Sequence, residues 1–202
     1  IMHAQCHEQD AHLDIVGPVM LLMAERAKVP VCVHLDHCED LDYLKRAIDL
    51  GFTSVMLDAS SKPYDENVRM TKEAVRLAHA KNVSVEAEIG VLGGREAGDQ
   101  KPLTKEEMYT DPELAKRFVE DTHIDALACS FGTAHGIYKV KPELDFERIK
   151  KIKALCNLPL VMHGGSGVSS EDYVKAIQCG VRKINYYSCL LYTSPSPRDQ
   201  RG

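Results

Sequence analysis

Three histidines stand at the ends of apolar, strand-like segments, where a metal could be bound. His37 follows VCVHLD, His135 follows ALACSFGTA, and His163 follows PLVM. Neutral imidazoles are preferred zinc ligands, and a catalytic zinc commonly keeps one position open for substrate. A single histidine at a strand end is more often a hydrogen-bonded loop residue. Its recurrence at three equivalent positions favours one shared metal site.

Carboxylates occupy similar positions. Asp36 directly precedes His37, Asp58 ends SVMLDAS, and both Glu86 and Glu88 lie in SVEAEIG. A carboxylate beside a metal ion can move a proton to or from a substrate. The residue types therefore suggest metal-assisted chemistry with a nearby acid or base.

A glycine cluster gives a second signal. HGGSGVSSED places Gly164, Gly165, Ser166 and Gly167 between a predicted strand and a helix start. Backbone N–H groups beside a helix N-terminus form a natural phosphate cradle. The alternative is a tight turn that needs the conformational freedom of glycine, and the sequence leaves both open.

The elements that must position these residues alternate regularly. Apolar, β-branched runs such as FTSVMLDAS and LPLVMHGG alternate with amphipathic stretches such as LDYLKRAIDLG and SSEDYVKAIQCG. Continuously apolar strands are typical of a parallel sheet covered by helices. The pattern predicts an α/β fold, either a (β/α)8 barrel or a doubly wound sheet, and the lack of GxGxxG disfavours the dinucleotide-binding form. In a barrel, the strand ends meet at one mouth, where active sites are built.

Helix boundaries and domain limits are also marked. Asp40, Asp111 and Ser169 predict helix starts, while Gly51 and Gly180 predict helix ends. The Met-rich stretch VMLLMAERA is expected to be core packing. One domain is predicted over residues 1–188, followed by a disordered tail at 189–202 that is rich in Pro, Ser and Arg. Because the chain starts at Ile1, within a predicted strand, we expect a fragment.

Composition excludes several classes of function. The net charge is −5 with no basic block, which argues against a nucleic-acid partner. No apolar run approaches the roughly 18 residues needed to cross a membrane. The seven cysteines are scattered without a CxxC pair, which favours a reducing cytoplasm.

The motifs resemble one family. VHLDH, SVMLDAS…ENV, VEAEIGVLGG, GTAHGIYK…LDFERI and HGGSGV, spanning about residues 29 to 188, are similar to class II, metal-dependent fructose/tagatose-bisphosphate aldolases. The resemblance implies an incomplete (β/α)8 TIM barrel with about strands two to eight present. It also implies cleavage of a ketose 1,6-bisphosphate to dihydroxyacetone phosphate and glyceraldehyde 3-phosphate.

The resemblance also implies roles for individual residues. His37, His135 and His163 would hold the catalytic zinc, and Asp58 and Glu88 match positions that bind a second cation in some members. Asp36 would be the proton donor in condensation and the base in cleavage. Glu96 would exchange a proton from a mobile loop. Substrate and its phosphate would be bound by Gly136, Gly164, Gly165, Ser166, Asn185, Tyr186, Tyr187 and Ser188.

The chemistry is consistent with these residue types, and two rivals stay open. Breaking a carbon–carbon bond next to a ketone leaves negative charge that a metal stabilises as a Lewis acid. No strand-end lysine stands out as a Schiff-base former, which disfavours the covalent route. A zinc hydrolase of barrel form usually has an HxH pair, which is absent here. A non-catalytic sugar-phosphate binder would bind phosphate whether or not a chelator is present.

The departures from the family lead to an expectation about the chain itself. Tyr186 and Tyr187 stand where many relatives have small or acidic side chains. A barrel without its first and last elements would expose sheet edges and apolar faces. We therefore expect a homo-oligomeric, active full-length parent, a dimer or tetramer, and a poorly soluble or inactive 202-residue chain. Robust zinc-dependent aldol cleavage by the chain alone would contradict this expectation.

Overall fold

Strands and helices alternate along the chain. The computed structural model describes residues 2–5, 12–90, 109–133 and 142–186, with residues 2–5 described by their backbone. The strands are β1 Met2–Gln5, β2 Val33–Cys38, β3 Ser54–Leu57, β4 Ser84–Ile89, β5 Ala126–Cys129, β6 Leu160–Met162 and β7 Val181–Ile184. The helices are α1 Leu13–Arg26, α2 Leu41–Leu50, α3 Tyr64–His79, α4 Pro112–Thr122, α5 Phe146–Cys156 and α6 Ser170–Cys179.

The chain divides into two compact units. Unit 1 comprises Ile1–Ile89 with Lys116–Leu127, and unit 2 comprises Gly90–Ala115 with Ala128–Gly202. In unit 1, β1 to β4 pair in chain order and in parallel. In unit 2, β6 pairs with β7 in parallel. The predicted α/β fold with parallel strands is therefore confirmed.

Apolar residues in register form the core of unit 1. Leu35 of β2 pairs with Val55 of β3, which pairs with Val85 of β4. All three side chains are fully buried. Parallel strands joined by helices are covered on both faces, so nearly every residue of these strands is apolar or held by a specific partner.

The predicted helix boundaries are confirmed where the structure describes them. The Asp40 side chain accepts a hydrogen bond from the backbone N–H of Tyr43 at 2.8 Å, which caps α2. Gly51 ends that helix in the left-handed conformation, with φ of 104°. Ser169 caps α6, and Gly180 ends it.

Helix α1 departs from its sequence prediction. The Met-rich stretch was expected to pack in the core, and Met20 is buried. Val19, Leu22 and Met23 are instead exposed, together with Ile15 one turn earlier. The stretch is apolar around most of the helix, and only one face packs against the rest of unit 1, so part of the prediction is wrong. No helix among the described residues is both long enough and apolar enough to span a membrane.

The α2 cap gives a test of the fold. Replacing Asp40 by alanine removes the acceptor for the Tyr43 N–H and should lower the free energy of unfolding by about 1 kcal/mol. Asp40→Asn keeps an acceptor and should retain most of the stability. Urea unfolding of both variants measures the difference, and equal losses would contradict the capping role.

Candidate functional site

Strand β2 is irregular where its polar residues begin. Leu35 pairs with Val55, but Cys38 pairs with Leu57, so β2 has one extra residue between these pairs. His37 has a φ of 49°, in the left-handed region that residues other than glycine seldom adopt. Regular alternation would send the Asp36 and His37 side chains to opposite faces. A bulge re-aims a side chain, and here both side chains are buried.

The re-aimed imidazole binds a carboxylate at the end of β3. Nδ1 of His37 lies 2.7 Å from Oδ2 of Asp58, and both groups are buried. An ionised carboxylate only accepts, so Nδ1 carries the hydrogen and donates it, which leaves Nε2 as the lone-pair donor of the neutral ring. The other Asp58 oxygen accepts hydrogen bonds from the N–H and hydroxyl of Ser60 at 3.2 and 2.7 Å. Asp58 is thus fixed on both sides and orients the ring.

Glu88 completes a buried group that suits a divalent cation. His37, Asp58 and Glu88 each offer one ligand atom, and these atoms lie within 4.8 Å of one another. One imidazole and two carboxylates are ligands that zinc accepts, and other divalent metals bind such N/O sets too. Buried carboxylates need compensating positive charge. The donor set therefore fits the predicted metal chemistry.

The charges around His37 affect its pKa. Burial of the ring lowers the pKa of His37, but its hydrogen bond to Asp58 and the nearby charges of Asp36, Asp58 and Glu88 outweigh that effect. The pKa of His37 is therefore raised above its ordinary value of 6.5. A carboxylate-rich setting attracts a proton as it attracts a metal ion, and the two compete for the ring.

A buried asparagine holds the end of β4. The side-chain N–H of Asn67 donates to the backbone carbonyl of Glu88 at 3.0 Å, and its side-chain oxygen accepts from the Thr71 hydroxyl at 3.1 Å. Both residues lie on the buried face of α3. Sequence reasoning quoted ENV as a motif but gave Asn67 no role. Its position on the apolar face of an amphipathic helix could have indicated a buried, hydrogen-bonded amide.

His34 is a second residue that sequence reasoning did not single out. Its Nδ1 lies 2.8 Å from the hydroxyl oxygen of Ser54. Its Nε2 lies 3.6 Å from an Asp36 oxygen and 3.7 Å from a Glu86 oxygen, and all three side chains are buried. These separations exceed hydrogen-bond length but lie within ion-pair range. The available signal was the two-residue spacing of His34 and Asp36, which places them on one strand face.

The glycine cluster lies in unit 2, directly after β6. His163 is buried at the end of that strand, and Ser166 is buried as well. Gly164 and Gly167 have φ of 63° and 89°, so the left-handed conformation favours glycine at both positions. The loop leads into the Ser169 cap of α6. The predicted strand–loop–helix arrangement is therefore present.

Gly165 uses its backbone to join three segments. Its N–H donates to the carbonyl of Asn185 at 3.0 Å, and its own carbonyl accepts from the N–H of Val168 at 3.1 Å and from the Tyr173 hydroxyl. A Cβ at Gly165 would lie 2.9 Å from the Asn185 oxygen. The need for glycine here comes from close packing, and the Gly165 N–H is already used within the protein.

The structure groups the predicted site residues within each unit. In unit 1, His37 hydrogen-bonds Asp58, and its pKa responds to the charges of Asp36 and Glu88. In unit 2, the backbone of Asn185 bonds to β6 and to Gly165, and Tyr186 is 47% exposed. The remaining predicted residues lie outside the described residues: Glu96, His135, Gly136, Tyr187 and Ser188.

A surface cleft of unit 2 is separate from these residues. It has a volume of about 340 Å³ and is lined by Asp111, Pro112, Asp145, Glu147, Arg148 and Lys151. Its lining mixes both signs of charge and includes none of the predicted site residues. The cleft therefore favours no particular ligand.

The chain is similar to known proteins. A family model described as fructose-bisphosphate aldolase class-II matches residues 1–194. The fructose-bisphosphate aldolase of Giardia intestinalis is 48% identical, over 78% of this chain and 55% of that protein. The 6-phospho-5-dehydro-2-deoxy-D-gluconate aldolase of Shouchella clausii is 47% identical, over 84% and 57%. The crystal structure of the YdjI aldolase from Escherichia coli K12 matches with a TM-score of 0.79 and 37% identity, over 91% of this chain and 63% of that one. The chain spans little more than half the length of these curated relatives.

Removing the charge of Asp58 should weaken metal binding. Asp58→Asn keeps the side chain's shape but loses the carboxylate that orients His37, so the zinc affinity of the chain should fall by about 10- to 100-fold. Competition with a chelating dye measures the change. Asp65→Asn is the matched control, since Asp65 is exposed on α3. Equal zinc affinity in wild type and Asp58→Asn would contradict the orienting role.

The raised pKa of His37 predicts how zinc binding depends on pH. In the metal-free chain, protonated His37 contributes stability below pH 6.5, and this contribution is lost as the pH rises through the raised folded-state value. Zinc needs the neutral ring, so its apparent affinity should fall by about tenfold per pH unit below that value for each proton displaced. Thermal unfolding with and without zinc should show a larger shift at pH 8 than at pH 6. A zinc-induced shift that does not depend on pH would argue against His37 as a ligand.

Proposed function

Because the chain belongs to the class-II fructose-bisphosphate aldolase family, we propose that the protein catalyses reversible aldol cleavage of a ketose 1,6-bisphosphate. The observation that carries the proposal is the buried Asp36–His37 pair at the β2 bulge, with His37 held by Asp58 at 2.7 Å. The bulge brings an acid–base group and a metal ligand to adjacent positions. Such an arrangement suits chemistry in which a proton moves beside a cation.

We assign proton transfer to Asp36. In cleavage, its carboxylate takes the proton of the C4 hydroxyl, the bond between C3 and C4 breaks, and the electron pair stays on C3 beside the ketone. In condensation, the same carboxyl returns the proton to the new hydroxyl. Nε2 of His34 lies 3.6 Å from an Asp36 oxygen and helps to position this carboxylate. Glu96, proposed to exchange the C3 proton, lies outside the described residues.

The donor set supports zinc as the cofactor. We propose His37, His135 and His163 as the zinc ligands, and Asp58 and Glu88 as groups that attract a second divalent or monovalent cation. The hydrogen bond from Nδ1 of His37 to Asp58 leaves Nε2 to face a metal. When bound, zinc supplies Lewis-acid stabilisation of the negative charge that develops beside the ketone.

Phosphate recognition is proposed for the loop after β6 and the end of β7. Gly164, Ser166 and the Ser169-capped helix α6 resemble other anion sites at helix N-termini. Asn185, Tyr186, Tyr187, Ser188 and Gly136 are proposed to contact the rest of the substrate. Gly165 supports the loop through its backbone bond to Asn185. This N–H is the only hydrogen-bond donor of Gly165, so its proposed contact with the substrate is limited to van der Waals contact at Cα.

The fold proposal is an incomplete (β/α)8 barrel containing about strands two to eight. The parallel pairing within each unit and the likeness to the YdjI aldolase, with a TM-score of 0.79, support it. We propose one barrel domain to residue 188, whereas the predicted tail at 189–202 lies outside the described residues. A homo-oligomer of the full-length protein, dimer or tetramer, stays a prediction.

A cytoplasmic location is proposed from the thiols. In the described part of the chain, Cys32, Cys38, Cys129, Cys156 and Cys179 are thiols that form no disulfide. Reduced thiols suit a reducing compartment. Fructose and tagatose bisphosphates differ only in the direction of one hydroxyl, so both are candidate substrates. The name of the Shouchella clausii relative adds a third phosphorylated substrate to test.

Two variants separate metal binding from proton transfer. His163→Ala should lose both tight zinc and turnover, whereas Asp36→Ala should keep zinc but lose about 100-fold or more in kcat. Coupled assays with each sugar, with and without EDTA, measure turnover, and atomic absorption measures bound zinc. The assay uses a form of the protein as long as its relatives, since the chain spans 55% of the Giardia intestinalis enzyme.

Specific outcomes would overturn the proposal. Normal cleavage by both variants would show that the roles are wrong. Turnover that persists in EDTA would point away from metal catalysis, and phosphate binding without any turnover would favour a sugar-phosphate binder. Hydrolysis of the substrate without aldol products would favour the zinc hydrolase.

A further inference from the structure

A tyrosine of α6 contacts two of the segments assigned to phosphate binding. The hydroxyl of Tyr173 donates a hydrogen bond to the carbonyl of Gly165, in the loop after β6. Its ring centroid lies 6.4 Å from that of Tyr186, which follows β7. Phosphate sites in barrels commonly form from two successive loops of this kind. The Tyr173 side chain therefore links the loop after β6 to the segment after β7.

The Gly165 backbone extends this link. Its N–H donates to Asn185 at 3.0 Å, while its carbonyl accepts from Val168 as well as from Tyr173. The peptide units on either side of Gly165 are thus tied to the end of β7, to the start of α6 and to the Tyr173 side chain. The loop position is set by groups that all lie in unit 2.

Such a loop needs external support. Gly164 and Gly167 have positive φ, and glycine loses more conformational freedom on ordering than any other residue. If a glycine loop orders only when the anion arrives, that entropy is lost on binding and affinity falls. A hydroxyl that holds the loop beforehand removes this cost from the binding step.

We propose that Tyr173 is a positioning residue for phosphate binding: it holds the Gly164–Gly167 loop in its ligand-ready shape. The inference rests on the proposed function, because it assumes that this loop receives a phosphate of the ketose bisphosphate. Tyr173 acts through Gly165 and makes no contact with reacting atoms in this scheme. Its loss should therefore affect binding rather than the chemical step.

Tyr173→Phe tests the inference directly. The variant keeps the ring beside Tyr186 and removes only the hydroxyl, so inorganic phosphate should bind about tenfold more weakly by isothermal titration calorimetry. In a turnover assay of the full-length protein, KM for the bisphosphate should rise by about tenfold while kcat stays within about twofold.

Tyr64→Phe is the matched control. Tyr64 also loses a bonded hydroxyl, since its oxygen lies 2.9 Å from Asp121, but this pair is in unit 1. The pKa of Tyr64 is raised to about 12 by burial and by its bond to Asp121, so the phenol stays protonated throughout the assay. Phosphate affinity should be unchanged in this variant. An equal loss in both variants would show general destabilisation and overturn the inference.

The remaining outcomes separate the inference from the proposed function. Phosphate binding by Tyr173→Phe equal to that of wild type would overturn the role of Tyr173 and leave the proposed function intact. Wild type that binds no phosphate and cleaves no bisphosphate would overturn both. Should Tyr173→Phe fail to fold, Tyr173→Leu replaces it, because this half-buried position of α6 is compatible with leucine, which likewise has no hydroxyl to donate to Gly165. Unchanged phosphate affinity in that variant would also contradict the inference.

Discussion

The hydrogen bond between Nδ1 of His37 and Asp58 is the interaction on which the candidate site depends. It joins the ends of two neighbouring strands at 2.7 Å in a buried setting. The bond occurs where β2 bulges and His37 adopts a left-handed conformation, which costs about 1 to 3 kcal/mol for residues other than glycine. The bulge in turn brings Asp36 and His37 to adjacent buried positions. The β2 bulge therefore determines how the candidate site residues Asp36 and His37 are placed.

Other polar residues of unit 1 hold the groups that surround this hydrogen bond. Asn67 holds the backbone of Glu88, and Ser54 holds the ring of His34 beside Asp36. Hydrogen bonds from His37 and Ser60 hold the buried Asp58 carboxylate, which offsets part of the cost of burying its charge. Unit 2 follows the same logic with backbone groups, since Gly165 and Tyr173 fix the loop through hydrogen bonds. In both units, the groups proposed to touch substrate or metal are supported by others that do not.

Much of this could be predicted from the sequence because local physical rules dominate there. Asp40, Ser169 and Gly51 marked helix boundaries by capping chemistry alone, and apolar runs marked parallel strands. The β2 bulge could not be predicted, because it depends on register with β3. The hydrogen bond from the Gly165 N–H to Asn185 could not be predicted either, because the two residues come together only in the folded protein. The α1 sequence is apolar on most sides and does not indicate which face is buried. Met23 was therefore predicted to lie in the core, but it is exposed.

The most direct test observes the two ring nitrogens of His37. NMR of the chain with 15N-labelled histidine, assigned with a His37→Gln variant, reports which nitrogen carries hydrogen and which responds to zinc. We expect Nδ1 to keep its hydrogen, as its bond to Asp58 requires, and zinc to shift the Nε2 signal. Zinc that binds the chain yet leaves both His37 nitrogens unchanged, or that displaces the hydrogen from Nδ1, would contradict the central claim.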